Sequence, residues 1–217
     1  MPRVRCIFGA VPGRNACYAK QVILERLKTA TSRAHASLER RLRIARPNPT
    51  LSDYRAYLSA MLGFTSPLEA RFADMPSELR RGAELEKRAK AHLLELDLDA
   101  LDRRLGPAPR ALCAAVPDTE DEAGALGALY VLEGSTLGAR YLRKHLSALG
   151  IDDSSAYLDS YGDALGDMWL RLRALLVARA GADPARTGEV VAGACRTFEL
   201  LDRWLVARGA AEAGEVT

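Results

Sequence analysis

The sequence predicts an all-α protein with a single domain. Apolar residues recur at the three- and four-residue spacings of amphipathic helices, and the alternation typical of β-strands is almost absent. Prolines and glycines separate the helical stretches. The 217 residues are enough for one sizeable hydrophobic core, and no linker-like tract indicates a second domain. The expected architecture is therefore a single all-α domain of irregularly packed helices.

The first half of the chain is expected to contain three helices. The first is predicted over residues 19–45, because apolar side chains form one stripe until two prolines end it. Thr50 is a suitable N-cap for a second helix, which Gly63 and Pro67 should bend or break near its middle. The third helix is predicted over residues 77–96, with a strongly charged outer face.

Three more helices are expected in the second half of the chain. A long helix over residues 119–149 would begin with acidic residues that suit the positive end of a helix dipole. Gly150 is well placed to end this helix. Two further helices are predicted over residues 154–179 and 184–207.

The composition indicates an ordinary globular domain over residues 19–207, between a flexible lead-in at residues 1–18 and a flexible tail at residues 208–217. Hydrophobic residues make up 48% and charged residues 27%, and the net charge of +3 gives no sign of a nucleic-acid partner. The longest apolar run, residues 125–132, is shorter than the roughly 18 residues of a membrane span. The four cysteines do not have the spacing of metal ligands, and we expect them to be reduced thiols. The N-terminus has no recognisable export signal, which favours a cytoplasmic protein.

His35 is the first candidate for chemistry. Spacings of three and four residues place it on the apolar stripe of the first predicted helix, beside Thr31 and Leu38. A buried imidazole needs a partner, and a metal such as haem iron would be one, since neutral imidazole is a good iron ligand. The alternative is a core histidine bonded to a side chain or a carbonyl. Lys28 lies on nearly the same face and could reach a haem propionate, although an exposed lysine needs no such explanation.

Glycines inside the long predicted helix are the second candidate. Gly134 and Gly138 are four residues apart and face the same way, and Gly127 lies on nearly that face two turns earlier. Glycine inside a helix costs about 1 kcal/mol relative to alanine, so such a stripe indicates a close approach to the backbone. Either a flat or bulky group lies there, or a neighbouring helix packs closely. The hydroxyls of Ser135 and Thr136 could hold water near the occupant of this groove.

Four motifs follow one another along most of the chain. They are Lys28-x-Ala30-Thr31-x-x-x-His35; Tyr57-Leu58 with Gly63-Phe64 and Pro67-Leu68-Glu69; Tyr130-Val-Leu-Glu-Gly134-Ser-Thr-Leu-Gly138; and Thr197-Phe198-Glu199-x-x-x-x-Trp204-Leu205. Together they resemble the haem oxygenase family, and within it the bacterial branch that includes the phytochrome-associated enzymes. The similarity spans roughly residues 22–206.

This resemblance implies a fold, an activity and a set of site residues. Haem would lie between a proximal and a distal helix, with His35 as the iron ligand and Lys28 on a propionate. Gly134 and Gly138 would let the distal helix close over the haem face and direct bound oxygen. The implied reaction cleaves haem to biliverdin, carbon monoxide and ferrous iron, using O2 and electrons from a ferredoxin or a flavin reductase.

The resemblance also implies supporting residues. Tyr130 and Phe198 would line the haem pocket, although core packing alone would explain Phe198. Ser135 stands where the animal enzymes have an aspartate that orders the distal water, so protonation is expected to rely on water, carbonyl groups or a basic residue of a later helix. Arg171 and Arg173 both suit that role or a second propionate contact, and Arg171 is the one assigned to the cofactor.

Two other functions fit the same residues. One is a non-catalytic haem carrier or sensor, and the other is a domain of the same fold that no longer binds haem. The combination of His35, Lys28 and the two distal glycines favours the enzyme. The expected partners are haem, an electron-donor protein attracted by basic residues, and a bacteriophytochrome that receives biliverdin. The basic residues are Arg33, Arg140, Arg143 and Lys144.

Overall fold

The structure is a computed structural model that describes residues 12–214, with side chains from residue 22 onward. In this part of the chain it is helical, with short 3-10 turns and no β-strands, which confirms the all-α prediction. The helices are α1 (Pro12–Arg41), α2 (Leu51–Ala73), α3 (Ser77–Gly82), α4 (Leu85–Arg88), α5 (Ala91–Leu105), α6 (Glu122–Leu137), α7 (Ala139–Leu146), α8 (Leu165–Ala180) and α9 (Pro184–Ala207). No helix within the described range is long and apolar enough to cross a bilayer.

Helix α9 is the central element of the domain. Helix α6 packs along it, and α1 packs against both α9 and α8. The α6–α9 contact is close because Gly127 has no side chain. A Cβ there would lie 2.5 Å from the Ala194 nitrogen and 2.6 Å from the Val190 oxygen. Gly127 therefore belongs to helix packing, which was one of the two explanations for the glycine stripe.

We expect Gly127→Ala to lower the free energy of unfolding by about 1–3 kcal/mol, because the added methyl group would force α6 and α9 apart. Urea denaturation would measure the change. The matched control is Gly134→Ala on the same helix, since a Cβ there meets nothing within 4 Å. Alanine should leave that position unchanged or stabilise it by about 1 kcal/mol. Equal losses in the two variants would contradict this assignment of Gly127.

Helix α2 runs unbroken through Gly63 and Pro67, where a bend or break was predicted. Proline at position 67 cannot donate to the carbonyl of residue 63, which is four residues earlier. The backbone nitrogen of Cys113 donates to that carbonyl instead, at 2.8 Å. A Cβ at Gly63 would lie 2.3 Å from the Ala111 oxygen, so glycine is needed for this close approach. A chain segment distant in sequence thus compensates for the proline.

The prediction of one helix over residues 77–96 was wrong. The chain instead forms α3 and α4 and then begins α5 at Ala91. The interruption follows from Glu84, which adopts a left-handed conformation with φ 51°. The carboxylate of Glu69 accepts hydrogen bonds from the backbone nitrogens of Lys90 and Ala91, at 2.6 and 3.3 Å. These bonds satisfy amides at the start of α5.

The long helix predicted over residues 119–149 is divided at Gly138 into α6 and α7. The helix predicted over residues 154–179 begins only at Leu165, and turns with a short 3-10 segment precede it. Helix α9 has the predicted bounds, because Asp183 caps its first turn by accepting from the Ala185 nitrogen. Side-chain capping therefore fixes the start of this helix.

The two ends of the chain differ from the predicted lead-in and tail. Helix α1 already begins at Pro12, and residues 1–11 of the expected lead-in lie outside the described residues. In the expected tail, Ala210 and Ala211 are buried, and the Ala210 carbonyl accepts from the Arg43 nitrogen at 3.0 Å. The Glu212 nitrogen donates to the carbonyl of Arg41 at 2.9 Å. This segment packs on the end of α1, which stops at residue 41 rather than 45.

Candidate functional site

His35 is less buried than its position on the apolar stripe predicts. Its stripe neighbours Leu27, Thr31 and Leu38 are buried, whereas the His35 side chain remains 49% exposed. Its imidazole packs edge-on against the ring of Phe198 on α9, with 5.9 Å between the ring centroids. The alternative of a core histidine is therefore wrong. The structure brings His35 and Phe198 together and leaves much of the imidazole open.

Glu39 is a site residue that the sequence analysis missed. One helical turn after His35, its Oε2 atom lies 3.4 Å from Nδ1 of the imidazole. A carboxylate at this nitrogen favours a proton on Nδ1, so the lone pair of Nε2 is left for a metal. The signal was present in the sequence, because a glutamate four residues after a histidine on a helix lies on the same face.

Tyr130 connects the glycine-bearing helix α6 to α1 and α8. Burial raises the pKa of the Tyr130 hydroxyl, and the neighbouring Thr31 side chain lowers it in part. Its ring lies against that of Trp169 on α8, with 5.7 Å between centroids. His35 is one helical turn after Thr31, and Gly134 is one turn after Tyr130. The two predicted site residues therefore lie close to the same α1–α6 contact.

Gly134 and Gly138 face open space, unlike Gly127. A Cβ on Gly134 would meet nothing within 4 Å, and one on Gly138 would approach only the Ser135 oxygen, at 3.9 Å. Helix packing therefore does not require glycine at either position. The approach of a flat or bulky group to this part of α6 stays a prediction.

The half-buried hydroxyl of Ser135 lies beside the buried Tyr157, whose hydroxyl also has Tyr57 as a neighbour. The Ser135 hydroxyl donates to the Leu132 carbonyl at 2.7 Å. Burial raises the pKa of Tyr157 to about 12, and the adjacent hydroxyls of Ser135 and Tyr57 lower it in part. Tyr57 belongs to a motif noted in the sequence, but nothing in the sequence indicated its partners. Tyr157 was missed entirely, since it lies in a loop far along the chain.

The basic residues assigned to the cofactor are placed differently from one another. Lys28 is exposed on α1. Arg171 lies beside Glu84, with Nη1 3.0 Å from Oε1, so its guanidinium already has an anionic partner, and its assignment to the cofactor stays a prediction. Arg173 is exposed and lies about 40° around α8 from Trp169, the residue that contacts Tyr130. Of the two arginines, Arg173 therefore faces the Tyr130 side.

Comparisons with known proteins give the family of the chain. The family model described as "Heme oxygenase" matches residues 21–207. Crystal structures of the NO- and CO-bound haem oxygenase from Neisseria meningitidis are similar, with 25% sequence identity and a TM-score of 0.71 over 90% of this chain and 98% of that one. No curated protein sequence matches significantly. Because the family model covers most of the chain, the chain belongs to the haem oxygenase family and is an oxidoreductase that degrades haem.

Proposed function

We propose that haem binds between α1 and α6, with Nε2 of His35 as its iron ligand and Gly134 on the opposite haem face. One observation carries the proposal. The Thr31 side chain lies beside the Tyr130 hydroxyl, and one turn further along each helix His35 and Gly134 are not covered by a neighbouring side chain. Glu39 leaves Nε2 available, and the Phe198 ring supports the imidazole from α9. Haem supplies the redox chemistry, and the protein supplies ligation, orientation and shape.

Gly134, Ser135 and Gly138 would direct the reaction on the distal face. The absence of side chains at the two glycines lets haem approach the α6 backbone. Ser135 is fixed by the Leu132 carbonyl and lies beside the Tyr157 hydroxyl. Because the serine hydrogen is used by the carbonyl, the serine oxygen can accept a hydrogen bond from a water molecule. We infer that Ser135 and Tyr157 hold the water that delivers protons, in place of an aspartate.

Lys28 and Arg173 are proposed to bind the haem propionates. Both are exposed, and no acidic partner contacts either of them among the described residues. We expect Lys28→Ala and Arg173→Ala each to raise the dissociation constant for hemin by roughly 3–30-fold, the loss of one charge-assisted contact. Arg171→Ala is the control, since Glu84 already holds that guanidinium. A larger effect of Arg171→Ala than of Arg173→Ala in a hemin titration would reverse the assignment.

Glu39→Ala is expected to weaken the iron–His35 bond by roughly 10–100-fold in affinity, as removal of an outer-shell partner of a metal-bound histidine does. The ferrous iron–imidazole stretching frequency should fall as well, because the imidazole becomes a weaker base. Glu25→Ala provides a matched control, being an exposed glutamate of the same helix. An unchanged stretching frequency in Glu39→Ala would show that Glu39 does not act on the ligand.

The partners are proposed from charge and resemblance. An acidic ferredoxin or flavin reductase would supply electrons at a basic surface. Arg140 and Arg143 already pair with Asp163 and Asp159, each at 3.3 Å. Exposed basic residues without such partners in the described part of the chain include Arg33 and Lys144. The distal motif, which resembles that of the phytochrome-associated branch, supports a bacteriophytochrome as the recipient of biliverdin.

Turnover of bound hemin tests the function. Hemin-loaded protein is mixed in air with ferredoxin, its reductase and NADPH, with catalase present to remove free peroxide. The Soret band should decay, biliverdin should be extractable, and about one equivalent of carbon monoxide should be trapped per haem, as the stoichiometry of cleavage requires. A Soret band that persists under these conditions would identify the protein as a carrier or sensor instead.

A further inference from the structure

A cavity of about 700 Å³ opens on the other side of α6 from Gly134. Phe72 of α2 and Leu129 and Leu132 of α6 form its apolar wall. Leu132 lies about 160° around the helix axis from Gly134, so this cavity is separate from the proposed haem site. Its volume is within the range of roughly 300–1,000 Å³ that small-molecule sites have.

The inner charged groups of the cavity are largely matched. Arg88 and Lys90 both contact Glu133, and all three side chains are buried. Glu69 accepts from two backbone nitrogens at the start of α5, and burial raises its pKa. Glu84, another wall residue, is held by Lys87 and Arg171. Little charge on this inner wall is therefore left to bind an ion.

The mouth of the cavity carries unmatched positive charge. Arg80 and Arg81 of α3 line it and are exposed, and neither has an ion-pair partner among the described residues. Glu86 is also exposed and lacks a partner within this range, so these three side chains together leave one net positive charge. Two exposed guanidinium groups on the lining of a cavity with an apolar wall suit an anionic group with an apolar body.

The wall is also held in shape before any ligand binds. Glu84 has φ 51° and ψ 43°, a left-handed conformation that is unfavourable for a residue with a side chain. Its carboxylate lies 2.8 Å from Lys87 Nζ and 3.0 Å from Arg171 Nη1. Ion pairs to two neighbours hold this turn, and the turn separates α3 from α4. A wall fixed in this way lowers the ordering cost of binding.

We propose that this cavity binds an amphipathic carboxylate, with its apolar tail against Phe72, Leu129 and Leu132 and its carboxylate at Arg80 and Arg81. The proposal does not depend on where haem binds. Tyr157 lines the cavity and lies beside Ser135, so the ligand would contact a residue that reaches the distal side of α6.

Calorimetric titration of dodecanoate into hemin-loaded protein tests the proposal, because hemin blocks the proposed haem site. One dodecanoate should bind. Arg80→Glu/Arg81→Glu should weaken binding by at least about tenfold, because the loss of even one charge-assisted contact has that effect. Dodecanol, with the same chain and no charge, should bind weakly. Ala73→Trp, at an exposed wall position, should reduce the affinity by filling space. The control Arg40→Glu/Arg103→Glu reverses two exposed charges outside the cavity lining.

No dodecanoate binding, equal affinity in wild type and Arg80→Glu/Arg81→Glu, or equal affinity for dodecanol would each overturn the proposal. The same titration with apoprotein separates this proposal from the haem assignment. Dodecanoate binding that requires Arg80 and Arg81 in apoprotein supports the cavity site even if hemin fails to bind. Binding to apoprotein that hemin abolishes would place dodecanoate in the haem site and contradict the cavity assignment.

Discussion

Replacing His35 by alanine is expected to abolish biliverdin formation while the fold remains intact. The side chain is half-exposed, so its loss removes little packing, mainly the contact with Phe198. Iron would lose its protein ligand, however. Removal of a residue that only hydrogen-bonds to a metal ligand already lowers metal affinity or activity by roughly 10–100-fold. We therefore expect turnover to fall by more than about 100-fold, measured as carbon monoxide released per bound haem.

Two comparisons make this result specific to iron ligation. Added imidazole should restore part of the turnover in His35→Ala, because a small ligand can occupy the space that the side chain leaves. His92→Ala removes another exposed histidine, on α5, and should retain full turnover. Biliverdin formation by His35→Ala without imidazole would show that iron is held by another residue.

Replacing Glu133 by alanine is expected to be the most destabilising of the substitutions considered. Arg88, Lys90 and Glu133 are only 3%, 6% and 2% exposed. Both cations donate to this carboxylate, and the Tyr161 hydroxyl donates to it at 2.8 Å. Removal of one partner of a buried ion pair leaves an uncompensated charge, at a cost of about 3–5 kcal/mol. Urea denaturation should show a loss of this size.

The pH dependence identifies the cause of that loss. Burial lowers the pKa of the Lys90 ammonium, whereas Glu133 raises it, so the alanine variant should lower this pKa further. When the pKa of a lysine is lower in the folded than in the unfolded state, folding is least favourable at low pH, because the buried ammonium is then charged in both states. The difference between wild type and Glu133→Ala should therefore shrink as pH rises toward the usual lysine range.

Glu120→Ala, an exposed glutamate near the start of α6, should change stability by less than about 0.5 kcal/mol. A loss in Glu133→Ala as small as in this control would mean that the buried network contributes little. A large loss that does not vary with pH would assign the effect to packing or to Arg88, which stays charged throughout, rather than to Lys90. Since Glu133 immediately precedes Gly134, the network also fixes where the open face of α6 lies.

Sequence patterns predicted the fold class and most of the helices because those features depend on local spacing. The start of α9 follows from Asp183 and Pro184. The uninterrupted α2 could not be predicted, since the hydrogen bond that compensates for Pro67 comes from Cys113, far along the chain. The break at Glu84 depends likewise on tertiary ion pairs with residues such as Arg171.

The candidate site was predictable in its motifs but not in its exposure. Periodicity placed His35 on an apolar face, but could not show that the neighbouring helix leaves it open. Helical spacing predicts a single glycine stripe, whereas Gly127 packs on α9 and Gly134 does not. Sequence alone could not show which face of α8 meets Tyr130, and so it could not separate Arg171 from Arg173.

The position of iron in a crystal of the hemin complex tests the central claim most directly. Anomalous scattering at the iron absorption edge would locate it independently of any assumption about the ligand. We predict a single iron peak at bonding distance from Nε2 of His35, with the haem plane between α1 and the α6 backbone at Gly134. An iron peak at another residue, or haem lying on the Leu132 side of α6, would contradict the account.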